Sequence, residues 1–350
     1  MAYTTINKSS LHFNTKLFTG TGSSNAITGV GFQPDFTWIK NRATTGNHAL
    51  FDVINGVTKY VNSNTNYALQ TSAQTLTAFG ADGFTVGTSA DLNGNGNNIA
   101  SWNWKAGGAG SANTDGSINS TVSVNTTAGF SIVKFTGSGA NATVGHGLGV
   151  APKMYLLKSL GDTSAWLMYH DGLDASSPQN YRLVLNQNTA RQDNTTWNDT
   201  APTSSVFSVG SASEVNGSGV DRIVYCFAEK TGYSKFGRYD GNGSTDGNFL
   251  YTGFKPAFFI MKRYDTTGNW GLFDNKRSTS GGGNVINYWV NPDLSNAEGS
   301  SSSAMNVDFV SNGVKIREDN GDLNTSGGDY IYMAFGQSIV GSNNIPATAR

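Results

Sequence analysis

The sequence predicts an all-β protein made of three tandem, homologous β-sandwich repeats of jelly-roll or lectin-like type. Three observations carry that prediction. One segment is written three times: Gly31-Phe32-Gln33-Pro34-Asp35-Phe36-Thr37-Trp38-Ile39-Lys40, Gly149-Val150-Ala151-Pro152-Lys153-Met154-Tyr155-Leu156-Leu157-Lys158 and Gly253-Phe254-Lys255-Pro256-Ala257-Phe258-Phe259-Ile260-Met261-Lys262. In every copy a Pro follows the Gly by three residues, a Lys by nine and an aromatic (Phe51, Tyr169 or Phe273) by twenty. Such fixed spacing marks an internal repeat. The second observation is compositional. Charged residues make up only 13% of the chain, against 44 Gly, 14 Tyr and 19 Phe, which suits many strands and tight turns and argues against disorder. The third is periodicity: each copy breaks into short apolar alternations bounded by Gly, Asn and Asp, with no amphipathic helix.

The repeats place the boundaries. Residues 1–12 precede the first copy and read as an arm suited to attach to a neighbour. The repeats occupy 13–105, 129–230 and 231–340, and a tail covers 341–350. Between the first two, the Gly/Ser/Thr-rich stretch 106–128 reads as a flexible linker. The second junction, around Lys230-Thr231-Gly232, is much shorter, so units two and three are expected to pack more rigidly than units one and two.

Within each repeat the elements follow a common order. A first strand ends in a Gly-x-Gly turn: Phe13 to Phe18 before Gly20 and Gly22, Phe130 to Phe135 before Gly137 and Gly139, and Phe236 to Tyr239 before Gly241 and Gly243. Glycine supplies the positive φ that such a reversal needs. The Pro of the repeated segment then opens a strand, because it cannot donate to a ladder. That strand is almost continuously apolar, which predicts burial on both faces. The aromatic strand ending at Phe51, Tyr169 or Phe273 pairs with it. The middle of each repeat diverges, with Tyr181–Leu185 and Asn284–Val290 reading as strands. Asp82-Gly83 and Asn312-Gly313, set between apolar alternations, are hairpin signals. Each repeat closes on a strand whose residues nine and eleven after an Asn face one core: Trp102 and Trp104, Tyr225 and Phe227, Met333 and Phe335.

Charge and cysteine content narrow the function classes. The net charge of −1 offers no electrostatic footprint for nucleic acid or an anionic membrane. The lone Cys226 permits no intramolecular disulfide. The start of the chain lacks the apolar stretch of a signal peptide, and no apolar run approaches the ~20 residues of a membrane helix. The expectation is synthesis in a cytoplasm, with no membrane insertion.

Candidate sites are few. The turn before the last strand reads Asp91-x-Asn93-x-Asn95, Glu214-x-Asn216-x-Ser218 and Asp322-x-Asn324-x-Ser326. Oxygen side chains at alternate positions before a Gly resemble half of a calcium loop, but the closing bidentate Glu is missing and the same residues make ordinary turns. Turn chemistry is the expectation, with no resident metal or cofactor. Lys40, Lys158 and Lys262, with Asp52, Asp171 and Asp274 near the next aromatic, read as structural pairs at a strand end. His48, His146 and His170 stand in non-equivalent settings, and no carboxylate pair or nucleophile set announces an enzyme. Trp197 and Trp289, in the divergent middles, read as core or interface residues rather than sugar-stacking platforms. Any binding is expected in the divergent stretches between Asp52 and Phe79, Asp171 and Phe207, and Asp274 and Phe309.

The text of the repeats also resembles a known group. Phe18-Thr19-Gly20-Thr21-Gly22, the segment Gly31 to Arg42, His48-Ala49-Leu50-Phe51-Asp52 and Ser101-Trp102-Asn103-Trp104-Lys105-Ala106 are similar to repeated modules of virion structural proteins of tailed phages, especially marine phages of cyanobacteria and other bacteria. The ending Val340 to Arg350 is similar too. The resemblance implies a non-enzymatic structural protein located in the virion, with other virion proteins as partners, and it transfers no catalytic residue. A tail fibre or spike component that attaches to the host, normally a homotrimer and able to touch a host-surface glycan, is the leading reading. The second is a capsid decoration protein whose three repeats mimic a trimer. A glycan-binding depolymerase is the third.

Overall fold

The computed structural model describes residues 4–277, 284–300 and 305–338. Its architecture is all-β and sandwich-like, and one four-strand order occurs three times. In the first unit the strands run Phe13–Thr19, Asn98–Trp104, Phe36–Asn41, Ala49–Asp52 across an antiparallel sheet. The second unit repeats this with Phe130–Thr136, Asp221–Phe227, Met154–Ser159 and Leu167–His170, and the third with Ser234–Asp240, Asp329–Gly336, Pro256–Arg263 and Gly271–Asp274. Behind each inner sheet lies a smaller outer one. The outer sheets are Asn25–Thr28, Gly83–Val86 and Leu76–Gly80 in the first unit, and Ala142–Gly145 with Val206–Val209 in the second. In the third, Phe249–Tyr251, Gly313–Ile316, Val307–Val310 and Val285–Ile286 play this part.

The two faces of each inner sheet serve different cores, because successive strand residues point to opposite sides. Ile39, Phe51 and Ile99 face the first unit's own outer sheet, and Tyr155 with Leu157, or Phe259 with Met261, do the same in the others. Phe36 with Trp38, Met154 with Leu156, and Phe258 with Ile260 face the opposite way, into one central core built by all three units. This is why the repeated strand is apolar throughout. The last-strand aromatics expected to face a core face this central one. Ring centroids of Trp104, Phe227 and Phe335, one from each unit, form a triangle with sides of 6.4, 6.1 and 5.8 Å. The three units therefore close around a shared apolar axis.

The Gly-x-Gly turns follow the expected stereochemistry. Gly22, Gly139 and Gly243 have φ of 69°, 77° and 63°. A Cβ on Gly137 would come within 2.2 Å of the Gly217 carbonyl oxygen, so the first glycine of the turn is required by close approach.

Several local expectations are revised. The stretch 106–128 is no free linker: Ser111–Asn113 and Ser120–Asn125 form strands that extend the second inner sheet from Phe130–Thr136. The alternation Val122-Ser123-Val124 carries this pairing, with Val122 buried and Val124 packed against the second unit's core. Residues 4–12 lie against the chain itself, with Ile6 in the central core and Ser10 hydrogen-bonded to Ser338. The expected strand Asn284–Val290 is two short pieces, Val285–Ile286 and Tyr288–Trp289. The tail 341–350 lies outside the described residues. No helix among the described residues is long and apolar enough to cross a membrane.

Candidate functional site

The nine turn residues do not converge on a point. Asn93, Asn216 and Asn324 are buried and hold the Gly-x-Gly turn of their own unit. Asn93 Oδ1 accepts from Thr21 N at 2.9 Å, while its Nδ2 donates to Ser23 O and to Gly87 O, the latter at 2.7 Å. Asn216 makes the same clamp on Ser138 N and Ala140 O, and Asn324 on Asn242 N and Ser244 O. The main-chain carbonyls of the same three residues accept from Gly22, Gly139 and Gly243 at 2.7 to 2.8 Å. With its NH2 group aimed at carbonyl oxygens, each amide is committed to joining two turns. Asn95, Ser218 and Ser326 are exposed and rest against the glycines of the turn. Glu214 pairs with Arg182, and Asp322 accepts from Asn269 N and Nδ2 at 3.0 and 3.3 Å. Among the described residues no group of three His, Cys, Asp or Glu is placed to hold a metal ion.

The repeated lysines do not pair with the aspartates named beside them. Each crosses to another unit. Lys40 Nζ donates to Gly46 O at 2.9 Å and to Ser295 O of the third unit at 3.2 Å. Lys158 Nζ donates to Ser164 O at 2.8 Å and to Asn66 O of the first unit at 3.3 Å. Lys262 Nζ donates to Arg263 O and, at 3.4 Å, to Asn188 O of the second unit. Burial is the largest cause holding all three ammonium groups down at about 8.

The same three seams carry a second set of contacts. Seventeen residues after the repeat's Gly stand His48, Trp166 and Trp270, each with a ring N–H aimed at a carbonyl of another unit. His48 Nε2 donates to Asn291 O at 3.1 Å, Trp166 Nε1 to Asn62 O at 2.7 Å and Trp270 Nε1 to Gln187 O at 3.2 Å. The main chain adds Leu69 N to Leu160 O, Arg191 N to Tyr264 O and Glu298 N to Arg42 O. The middle of unit one thus lies on unit two, that of two on three, and that of three on one. Main-chain carbonyls and amides, which every residue supplies, carry much of each seam and leave the middles free to differ in sequence.

A third ring of contacts lies deeper. Tyr225 OH donates to Asp52 Oδ2 at 2.9 Å, joining units two and one, and Trp102 Nε1 donates to Asp274 Oδ2 at 2.9 Å, joining one and three. In the remaining seam Met333 replaces the aromatic donor, and His170 replaces the aspartate, its Nε2 donating to Tyr332 O at 3.1 Å. His170, not Asp171, therefore stands in the column of Asp52 and Asp274, twenty-one residues after the Gly. That column was readable from the spacing. Asp171 pairs instead with Lys153. Asp274 also receives Arg277 at 2.5 Å, and Glu298 bridges Arg277 at 3.0 Å and Arg42 at 2.7 Å across the same seam.

The buried histidines are spent on structure. Trp38 Nε1 donates to His48 Nδ1, Leu148 N to His146 Nδ1 and Gly172 N to His170 Nδ1, at 2.9 to 3.1 Å, so each Nε2 carries the proton and donates to a carbonyl. Desolvation holds all three below the ordinary histidine range. Trp197 is fully buried in the second unit's core, and Trp289 packs partly buried against the third. Neither is an open stacking platform. Cys226 is buried, and burial pushes its thiol up.

A closed, all-β, three-part body is what these contacts define. Residues 8–338 match the family described as Domain of unknown function (DUF7483), and the chain belongs to that family. Comparison with curated proteins finds no match, and comparison with solved structures finds none.

Proposed function

We propose that the protein is a non-enzymatic structural component of the surface of a tailed-phage particle, in which one chain does the work of a trimer. In this reading each repeat is a jelly-roll or lectin-like sandwich, and the chain caps a three-fold or pseudo-three-fold position of the shell as a decoration protein. The observation that carries it is the closed ring of seams, one to two, two to three and three to one, around the Trp104, Phe227 and Phe335 triangle. A closed point group satisfies every equivalent interface within the assembly. Here the three equivalent interfaces are all used inside one chain, so a further homotrimer about the same axis is not needed. The histidines' commitment to structural hydrogen bonds supports a binding role rather than a catalytic one.

The test is the copy number per purified particle, from quantitative mass spectrometry. Decoration predicts a fixed ratio to the major shell protein. A handful of copies per particle would overturn that placement in favour of a tail fibre or spike, and absence from the particle would overturn the virion reading.

A further inference from the structure

We infer that the first unit holds a binding site for one sugar residue of a neutral glycan, in a recess that the other two units close with their own side chains. The recess, about 160 Å³, is lined by Asn47, Tyr60, Asn62, Gln70, Thr75 and Asp91 among others. That is room for about five waters or a single ring.

The second unit shows what such a recess takes. Tyr60 pairs with Gln70 across a two-residue ladder, and Arg182 pairs with Gln192 across the equivalent one. Thr75 O accepts from Gly87 N as Thr196 O does from Gly210 N. Asp91 and Glu214 are the second residues of matching one-turn helices, Ala90–Asn93 and Ser213–Asn216. In the second unit the Arg182 guanidinium fills the space, donating to Gln192 Oε1 at 2.9 Å, to Thr196 Oγ1 at 3.2 Å and to Glu214 Oε1. The third unit satisfies Asp322 with Asn269 and lays the Trp289 indole where a Cβ on Gly299 would come within 2.4 Å of it. In the first unit Tyr60 offers a single hydroxyl, and Gln70 Oε1 accepts it at 3.2 Å. No hydrogen-bond donor among the described residues reaches the Asp91 carboxylate, which is exposed at the rim.

The unit-two guanidinium therefore marks where a ligand's donors belong. The recess is acceptor-rich and close to neutral, because the buried Lys40 ammonium attracts Asp91 from behind. A phosphate would face Asp91, and the unit-two guanidinium reaches three acceptors at once, on Gln192, Thr196 and Glu214, which calls for a ligand with several donors. A sugar ring brings several hydroxyl donors in one plane and no charge, and its C–H face suits the half-buried Tyr60 ring. Carboxylate-to-hydroxyl hydrogen bonds are the strong, short kind. The inference stands on this recess and not on the placement in a virion.

The test is saturation-transfer NMR on the full chain with methyl glucoside, methyl galactoside, methyl mannoside and N-acetylglucosamine. Wild type is expected to transfer saturation to at least one of them. Tyr60→Arg rebuilds the unit-two plug against Asp91 and should weaken that binding at least about tenfold while leaving the unfolding midpoint in place. Asp91→Asn, at an exposed position, should weaken binding too, and it carries the test if Tyr60→Arg fails to fold. No transfer to any of the four sugars would overturn the inference, as would equal binding in wild type and Asp91→Asn, or tighter binding of glucose 6-phosphate than of the neutral sugars. None of these three outcomes touches the copy-number result.

Discussion

Replacing Tyr225 by Phe removes one oxygen from the seam between units one and two and nothing else. Tyr225 is fully buried, its ring 4.2 Å from Phe36 and 6.2 Å from Trp166, and a phenyl ring keeps both contacts. What is lost is the hydroxyl that donates to Asp52 Oδ2 at 2.9 Å. Oδ2 keeps Asn55 Nδ2 at 2.8 Å, and Oδ1 keeps the amides of Ile54 and Asn55 at 3.0 and 2.8 Å. The carboxylate stays buried with three donors of four, so the cost is that of one hydrogen bond to a buried charged group, about 2 kcal/mol. Burial already pushes the Asp52 carboxyl up, and the Tyr225 hydroxyl is among the groups that oppose this. The cost should therefore shrink in acid, once Asp52 in the folded protein is protonated. Urea unfolding of Tyr225→Phe, Asp52→Asn and the double variant at pH 7 gives the coupling directly. A Tyr225→Phe loss below about 0.5 kcal/mol, or no coupling to Asp52, would refute the view that this seam is held by a charged hydrogen bond.

Three further outcomes follow. Asn216→Ala should cost about 2 to 3 kcal/mol in urea unfolding, because three hydrogen-bond partners at Ser138 and Ala140 lose their mate; a melting temperature that rises with added calcium would instead favour a metal site. Lys158 titrates at about 8 in the folded protein against 10.5 in an unfolded chain. Below pH 8 it is protonated in both states; between those values only the unfolded state holds the proton, so its contribution to stability rises with pH by up to about 3 kcal/mol. Lys158→Met should lack that rise, and a wild-type advantage that stays flat from pH 7.5 to 9.5 would contradict it. Trp104→Ala should cost about 3 to 5 kcal/mol by opening a cavity on the axis, measured in the same urea experiment; a loss under about 1 kcal/mol would show that the triangle is not packed as described.

Much of this fold was readable. The spacing of Gly, Pro, Lys and aromatic framed each unit, and the apolar run through Phe258 to Met261 announced burial on both faces. What the run could not announce was the owner of the second face. Tandem copies strung as beads and copies closed in a ring have the same periodicity, and only the seams tell them apart. Those seams rest largely on main-chain carbonyls such as Asn66 O, Asn188 O and Ser295 O, which leave no trace in side-chain identity. Lys40, Lys158 and Lys262 were visible as a column, but their partners were not. His170 was legible as a counterpart of Asp52 by position, yet it donates to the Tyr332 carbonyl where the aspartates accept from Tyr225 and Trp102. The Gly-rich composition of 106–128 hid the Val122 and Val124 alternation that builds a strand. The recess of unit one was illegible because it is defined by the absence of an arginine at Tyr60.

Calorimetric unfolding of the whole chain tests the closed ring most directly. A shared core and three interlocked seams predict one transition whose van't Hoff and calorimetric enthalpies agree, with Trp104→Ala lowering that single midpoint. Two or three resolved transitions, with Trp104→Ala moving only the one that belongs to the first unit, would contradict it.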